Sequence, residues 1–101
     1  MVKYLLTTKS PHDIPLKPLI ILYPEATVDV ANLSTTFKSI AEAILKLPED
    51  DYILISAGLP TLVAFAALML YQRFQKVKIA QFDANTRRYH IYQLPTIREF
   101  L

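Results

Sequence analysis

The sequence predicts a single small α/β domain with a mostly parallel sheet of about five strands, two helices and a C-terminal β-hairpin. Two runs, Leu19–Tyr23 (LIILY) and Tyr52–Ser56 (YILIS), are apolar at consecutive positions, the mark of strands covered on both faces. Two longer segments of helical character lie between such strands, one stopped by Pro48 and one running from Pro60 to about Phe74. The chain has 101 residues, 52% apolar and 20% charged, enough for one core and too short for a second domain.

Taken in order, Val2–Thr7 is β-prone and reads as a strand. Pro11, Pro15 and Pro18 then forbid helix and central strand, so Lys9–Pro18 is a surface connection to Leu19–Tyr23, which Pro24 ends. Asn32 or Ser34 caps a helix whose apolar face is Phe37, Ile40, Ala41, Ile44 and Leu45. After Tyr52–Ser56, Ala57-Gly58-Leu59 forms a turn, and Pro60 suits a first helical position, where no N–H is needed. The helix that follows, with LVAFAALMLY at its centre, is apolar all round and therefore expected to be buried on more than one side. Val77–Asp83 is a strand, Ala84-Asn85-Thr86 a turn and Arg87–Leu94 a returning strand of period two. Pro95–Leu101 is a short helix or a frayed end. The predicted order is β-β-α-β-α-β-β in one domain, 1–101.

Composition narrows the chemistry. The absence of cysteine excludes a disulfide framework, a thiolate zinc site and a cysteine nucleophile. A formal net charge of +2 is too small to argue for nucleic acid by itself. The N-terminal apolar run is shorter than the roughly 7–15 residues of a signal-peptide core, so a cytoplasmic location is expected. Tyr52–Gln72 is free of charge for 21 residues, long enough to span a bilayer. The turn chemistry of Ser56–Pro60 interrupts it, and two short elements describe it better than one membrane helix.

Four groups of residues are candidates for chemistry. Ser56, Gly58 and Thr61 stand where a parallel strand gives way to a helix, the edge at which α/β sheets bind ligands and where free amides favour an anion. A tight turn needing glycine explains the same residues. No GxGxxG or Walker loop is present, so no cofactor is expected. LISAG half-matches a nucleophile elbow, with Leu54 in place of its first glycine. Ser10, His12 and Asp13 bring a hydroxyl, an imidazole and a carboxylate together in one loop. Glu49, Asp50 and Asp51 read as a solvated loop rather than a metal site, and no metal is expected. In the hairpin, Arg87, Arg88, Tyr89, His90 and Tyr92 interleave cations with aromatics, as nucleic-acid surfaces do. Period two puts Arg87, Tyr89 and Ile91 on one face and Arg88, His90 and Tyr92 on the other. Arginines that discourage edge pairing are the structural alternative.

The runs PEDDYILISAGLP, LVAFAALMLYQRF and KVKIAQFDANTRRYHIY together resemble small uncharacterised α/β proteins of phages and archaeal viruses. More distantly, the layout is similar to Rossmann-like nucleotide-sensor domains of CRISPR-linked systems, which bind cyclic nucleotides at strand ends. The resemblance implies a Rossmann-like domain in an infected host cell, with Ser56, Gly58 and Thr61 as the corresponding ligand positions.

Three functions follow as expectations. The first is an accessory or interaction module, homodimeric through the helix Leu62–Tyr71. The second is a nucleotide- or nucleic-acid-binding module using the 56–61 turn, the 82–92 hairpin, or both. The third is a small enzyme acting on phosphoesters, with His12 or Ser56 involved.

Overall fold

The computed structural model describes residues 1–25 and 27–101. In chain order its elements are β1 (Val2–Thr8), β2 (Leu19–Tyr23), α1 (Ser34–Lys46), β3 (Asp51–Ile55), α2 (Pro60–Phe74), β4 (Lys78–Asp83) and β5 (Arg88–Gln93). A 3-10 turn, Ile97–Phe100, follows. The strands form one sheet in the order β2-β1-β3-β4-β5, parallel except for the antiparallel β4–β5 hairpin. The α/β architecture, the mostly parallel five-stranded sheet and the C-terminal hairpin are thus as the sequence predicts. No helix among the described residues is long and apolar enough to cross a membrane.

Strand order decides what covers each face. The β2→β3 and β3→β4 connections run in one direction across the sheet, and right-handed crossovers place α1 and α2 on the same face. There Ile40, Ile44, Leu62 and Ala66 close over Leu5, Leu22, Tyr52 and Leu54. The β1→β2 connection runs the opposite way, so Lys9–Pro18 crosses the other face. Ile14 and Leu16 of that connection cover a second cluster around Leu6, Ile53, Ile55 and Ala80. Consecutive apolar residues in β3 are explained directly, since Tyr52 to Ile55 are all buried, alternately on the two sides.

Two helices about 10 Å wide do not span five strands set about 4.8 Å apart. The strand left over is β5. Of its residues only the half-buried Tyr89 packs against the cluster beneath the proline-rich connection, and all the others are exposed.

Several elements differ from expectation. Helix α2 is not buried on more than one side. It turns Leu62, Ala66 and Leu70 to the sheet, while Ala64, Leu68 and Tyr71 are exposed. Leu45 leaves the buried face of α1, at 69% exposed, and Thr36 takes a place in it. The N-cap of α1 is Leu33 and makes no side-chain cap bond; Asn32 instead accepts the Ser34 N–H through Oδ1 at 3.3 Å. Arg87 lies in the turn with φ 57°, so β5 begins at Arg88.

The helices are also fastened to each other. Phe37 and Phe65 pack with ring centroids 4.6 Å apart. Arg73 donates to the Ile44 carbonyl near the end of α1 and lies over the Phe74 ring. A cation there answers the exposed carbonyls and the negative end of the α1 dipole.

Candidate functional site

The carboxyl ends of the parallel strands gather one group of the predicted residues. Directions across the sheet reverse between β1 and β3, the kind of point at which α/β sheets open a crevice. Gly58 sits beside it with φ +98°, a conformation that L side chains rarely adopt. A Cβ at this residue would lie 3.2 Å from Thr7 Oγ1 and 3.4 Å from Thr8 Oγ1. Glycine therefore answers both a dihedral and a close approach. Helix α2 starts immediately after it with Pro60, no side-chain cap and no acidic residue in the first turn. The Leu62 and Val63 N–H groups bond to the Leu59 carbonyl, whereas among the described residues those of Gly58 and Thr61 meet no acceptor. Thr7 is fully buried, and its hydroxyl has no hydrogen-bond partner among the described residues. Sequence reading selected Ser56, Gly58 and Thr61 and missed Thr7 and Thr8.

The hairpin residues divide. Tyr89 pairs with Phe82, ring centroids 5.2 Å apart, on the face covered by the β1–β2 connection. Arg88, His90 and Tyr92 project on the helix side, and Arg87 belongs to the turn. Asp83 organises this turn. One carboxylate oxygen accepts the Asn85 N–H at 3.0 Å and the other faces His90 Nε2 at 3.0 Å. These contacts, the one with His90 foremost, hold the Asp83 carboxyl below its ordinary value. His90 is thereby tied to its neighbouring strand, and only Arg88 and Tyr92 are left to meet a ligand together from that face.

The remaining candidates are apart. The backbone N–H of His12 bonds Ser10 Oγ at 3.1 Å, and the loop borders an open hollow of about 220 Å³ with Asp13, Lys9 and Lys17. Ser56 lies at the end of β3, its N–H bonded to the Ala80 carbonyl. Among the described residues neither histidine is hydrogen-bonded to it, and no general base stands ready. Asp50 and Asp51 are occupied by cations: Lys3 Nζ lies 3.0 Å from Asp50, and Lys78 Nζ 3.2 Å from Asp51. Hydrogen bonding to Lys3 and the Met1 ammonium drives the Asp50 carboxyl far below the usual carboxylate range.

A different surface emerges around β5. A groove of about 430 Å³ runs between α2 and the C-terminal segment, lined by Tyr71, Val77, Leu94 and Ile97 among others. Elsewhere on the hairpin and the C-terminal segment the apolar side chains of Phe82, Ile91, Tyr92 and Phe100 are exposed. The Leu94 N–H bonds the Val77 carbonyl at 2.8 Å, which fixes the phase of the hairpin ladder. By antiparallel alternation, the N–H and C=O groups of Tyr89, Ile91 and Gln93 point away from β4 into open space. The opposite edge is blunted, because β2 has five residues and prolines at both ends, Pro18 and Pro24. In β5 there is no proline and no lysine.

No family model, no curated protein and no solved structure matches this chain.

Proposed function

We propose that the protein is a homodimeric interaction module, of the accessory kind that the phage resemblance implies, and that its two copies join along β5. The observation that carries this reading is an uncovered edge strand, Arg88 its one charged residue, with exposed apolar side chains on both of its faces. A monomer gains nothing from leaving such an edge open. Natural sheets ordinarily protect it with charge, proline or a cover.

The strand is complementary to itself. A two-fold axis through Ile91 sets it opposite the second copy's Ile91 as an antiparallel hydrogen-bonded pair. Tyr89 then faces the second copy's Gln93, His90 faces Tyr92, and Arg88 faces Leu94. No like charges oppose one another, and every pair includes an apolar or aromatic side chain. Phe82, Ile91, Tyr92, Leu94, Ile97 and Phe100 are all exposed along the hairpin and the segment after it. Patches above about 300–600 Å² on soluble proteins mark interaction sites, and a stable dimer contact takes about 800 Å² per partner. The interface expected from sequence, helix Leu62–Tyr71, contributes here through its end at Tyr71, which lines the groove beside β5.

Sedimentation velocity tests the proposal. The wild-type chain is expected to sediment as a dimer at tens of micromolar, and Ile91→Lys as a monomer that still melts cooperatively. A wild-type monomer at several hundred micromolar overturns it, and so does an Ile91→Lys chain that remains dimeric.

A further inference from the structure

We propose that the groove between α2 and the C-terminal segment is a docking site for Arg88 of the second copy, which pairs there with Glu99. The pairing rests on the dimer joined along β5. By two-fold symmetry it occurs twice, and the two contacts lock the register of the joined strands.

The groove, of about 430 Å³, has Val77, Leu94, Pro95 and Ile97 among its apolar lining and Glu99 as its one carboxylate. Glu99 is exposed and in no ion pair among the described residues. Its backbone is fixed by the 3-10 turn, in which the Glu99 N–H donates to the Thr96 carbonyl at 3.1 Å. The one cation of the lining, Lys76, belongs to the connection between α2 and β4. An arriving arginine is thus drawn to the C-terminal wall, where the carboxylate stands.

Arg88 is free to arrive. Within its own chain it lies across the ladder from Asp83, whose two carboxylate oxygens are already taken by the Asn85 N–H and His90. Arg88 is exposed and makes no ion pair among the described residues. With the two-fold axis through Ile91, Arg88 of the second copy stands opposite Leu94 on the same face, their Cβ atoms about 5 Å apart. Leu94 lines the groove, so the long side chain of the second copy's Arg88 enters at its edge. A charge on an edge strand ordinarily keeps other strands away. Here it meets an opposite charge on arrival, and a slide of either copy along the edge parts the two groups. Charge complementarity of this kind selects one register among several that backbone bonding alone would accept.

The test follows self-association of the full chain by sedimentation velocity at low ionic strength, where exposed charges count most. Arg88→Glu and Glu99→Arg should each dimerise about tenfold more weakly than the wild type, because both contacts of the dimer then oppose like charges. Mixed in equal amounts, the two variants should form a heterodimer as tight as the wild type, since each of its contacts again joins opposite charges. Lys46→Glu, an equal change of net charge on α1, should not rescue Glu99→Arg. A mixture that associates as weakly as its components overturns the proposal, and so does equal rescue by Lys46→Glu. Where Ile91→Lys still abolishes the dimer but the mixture shows no rescue, the pairing of Arg88 with Glu99 fails and the joint along β5 stands. A wild-type monomer overturns both.

Discussion

At the scale of single residues, Gly58 and Asp50 each answer a constraint that a neighbour imposes. Gly58 holds φ +98° against the hydroxyls of β1, so Gly58→Ala combines backbone strain with crowding. It should lose about 1–3 kcal/mol of stability in urea denaturation. Asp50 is held down in pKa by its hydrogen bond with Lys3, and Lys3 is raised by the same contact. The carboxylate's contribution to stability is present above about pH 4, its unfolded value, and fades as pH falls through the lower folded value. The ammonium's contribution is present below about pH 10.5 and fades as pH rises through the higher folded value. Asp50→Asn should therefore flatten the acid limb of a stability–pH curve measured between pH 5 and 2. Residue-scale features were legible unevenly. Gly58 is conspicuous as the sole glycine of the chain. Thr7 is not, because a threonine in a strand gives no sign of which helix will start above it.

At the scale of elements, the sequence carries most of the architecture. Leu19–Tyr23 and Pro60–Phe74 fall where expected because prolines mark their ends and apolar runs fill them. The end of α2 is placed correctly, but the conformation that closes it is not legible in sequence. The helix ends on Gln75 with φ 64°, where glycine is the usual occupant, and the hairpin turn closes on Arg87 with φ 57°. Both are left-handed positions held by side chains that disfavour them. Gln75→Gly and Arg87→Gly should each raise stability by roughly 0.5–1 kcal/mol, read from denaturant midpoints at unchanged slope. Arg73 joins the helices by donating to the Ile44 carbonyl at the C-terminal end of α1. Replacing it with methionine keeps much of the packing and removes that bond, and should cost about 1.5–3 kcal/mol. A fixed partner for Arg73 is illegible in sequence, since it lies 29 residues away and depends on how α1 and α2 align.

At the scale of the whole molecule, the decisive fact is a mismatch of widths. Two helices and one proline-rich connection do not extend over the fifth strand, whose residues are exposed apart from the half-buried Tyr89. The alternating pattern of Arg88–Gln93 suggests one buried face, but alternation reports only which residues share a face and not whether anything lies upon it. The apolar helix suggests self-association; the exposed strand is the ground for proposing it at an edge instead, where hydrogen bonds and side chains act together. The absence of cysteine allows a direct measurement. In a two-fold antiparallel pair centred on Ile91, the two Cα atoms stand about 5.5 Å apart, within disulfide range. Ile91→Cys should oxidise rapidly to a covalent dimer at micromolar concentration, whereas Leu45→Cys, more exposed on the outer side of α1, should stay monomeric. Equal cross-linking of the two variants, or none at residue 91, would contradict a dimer joined along β5.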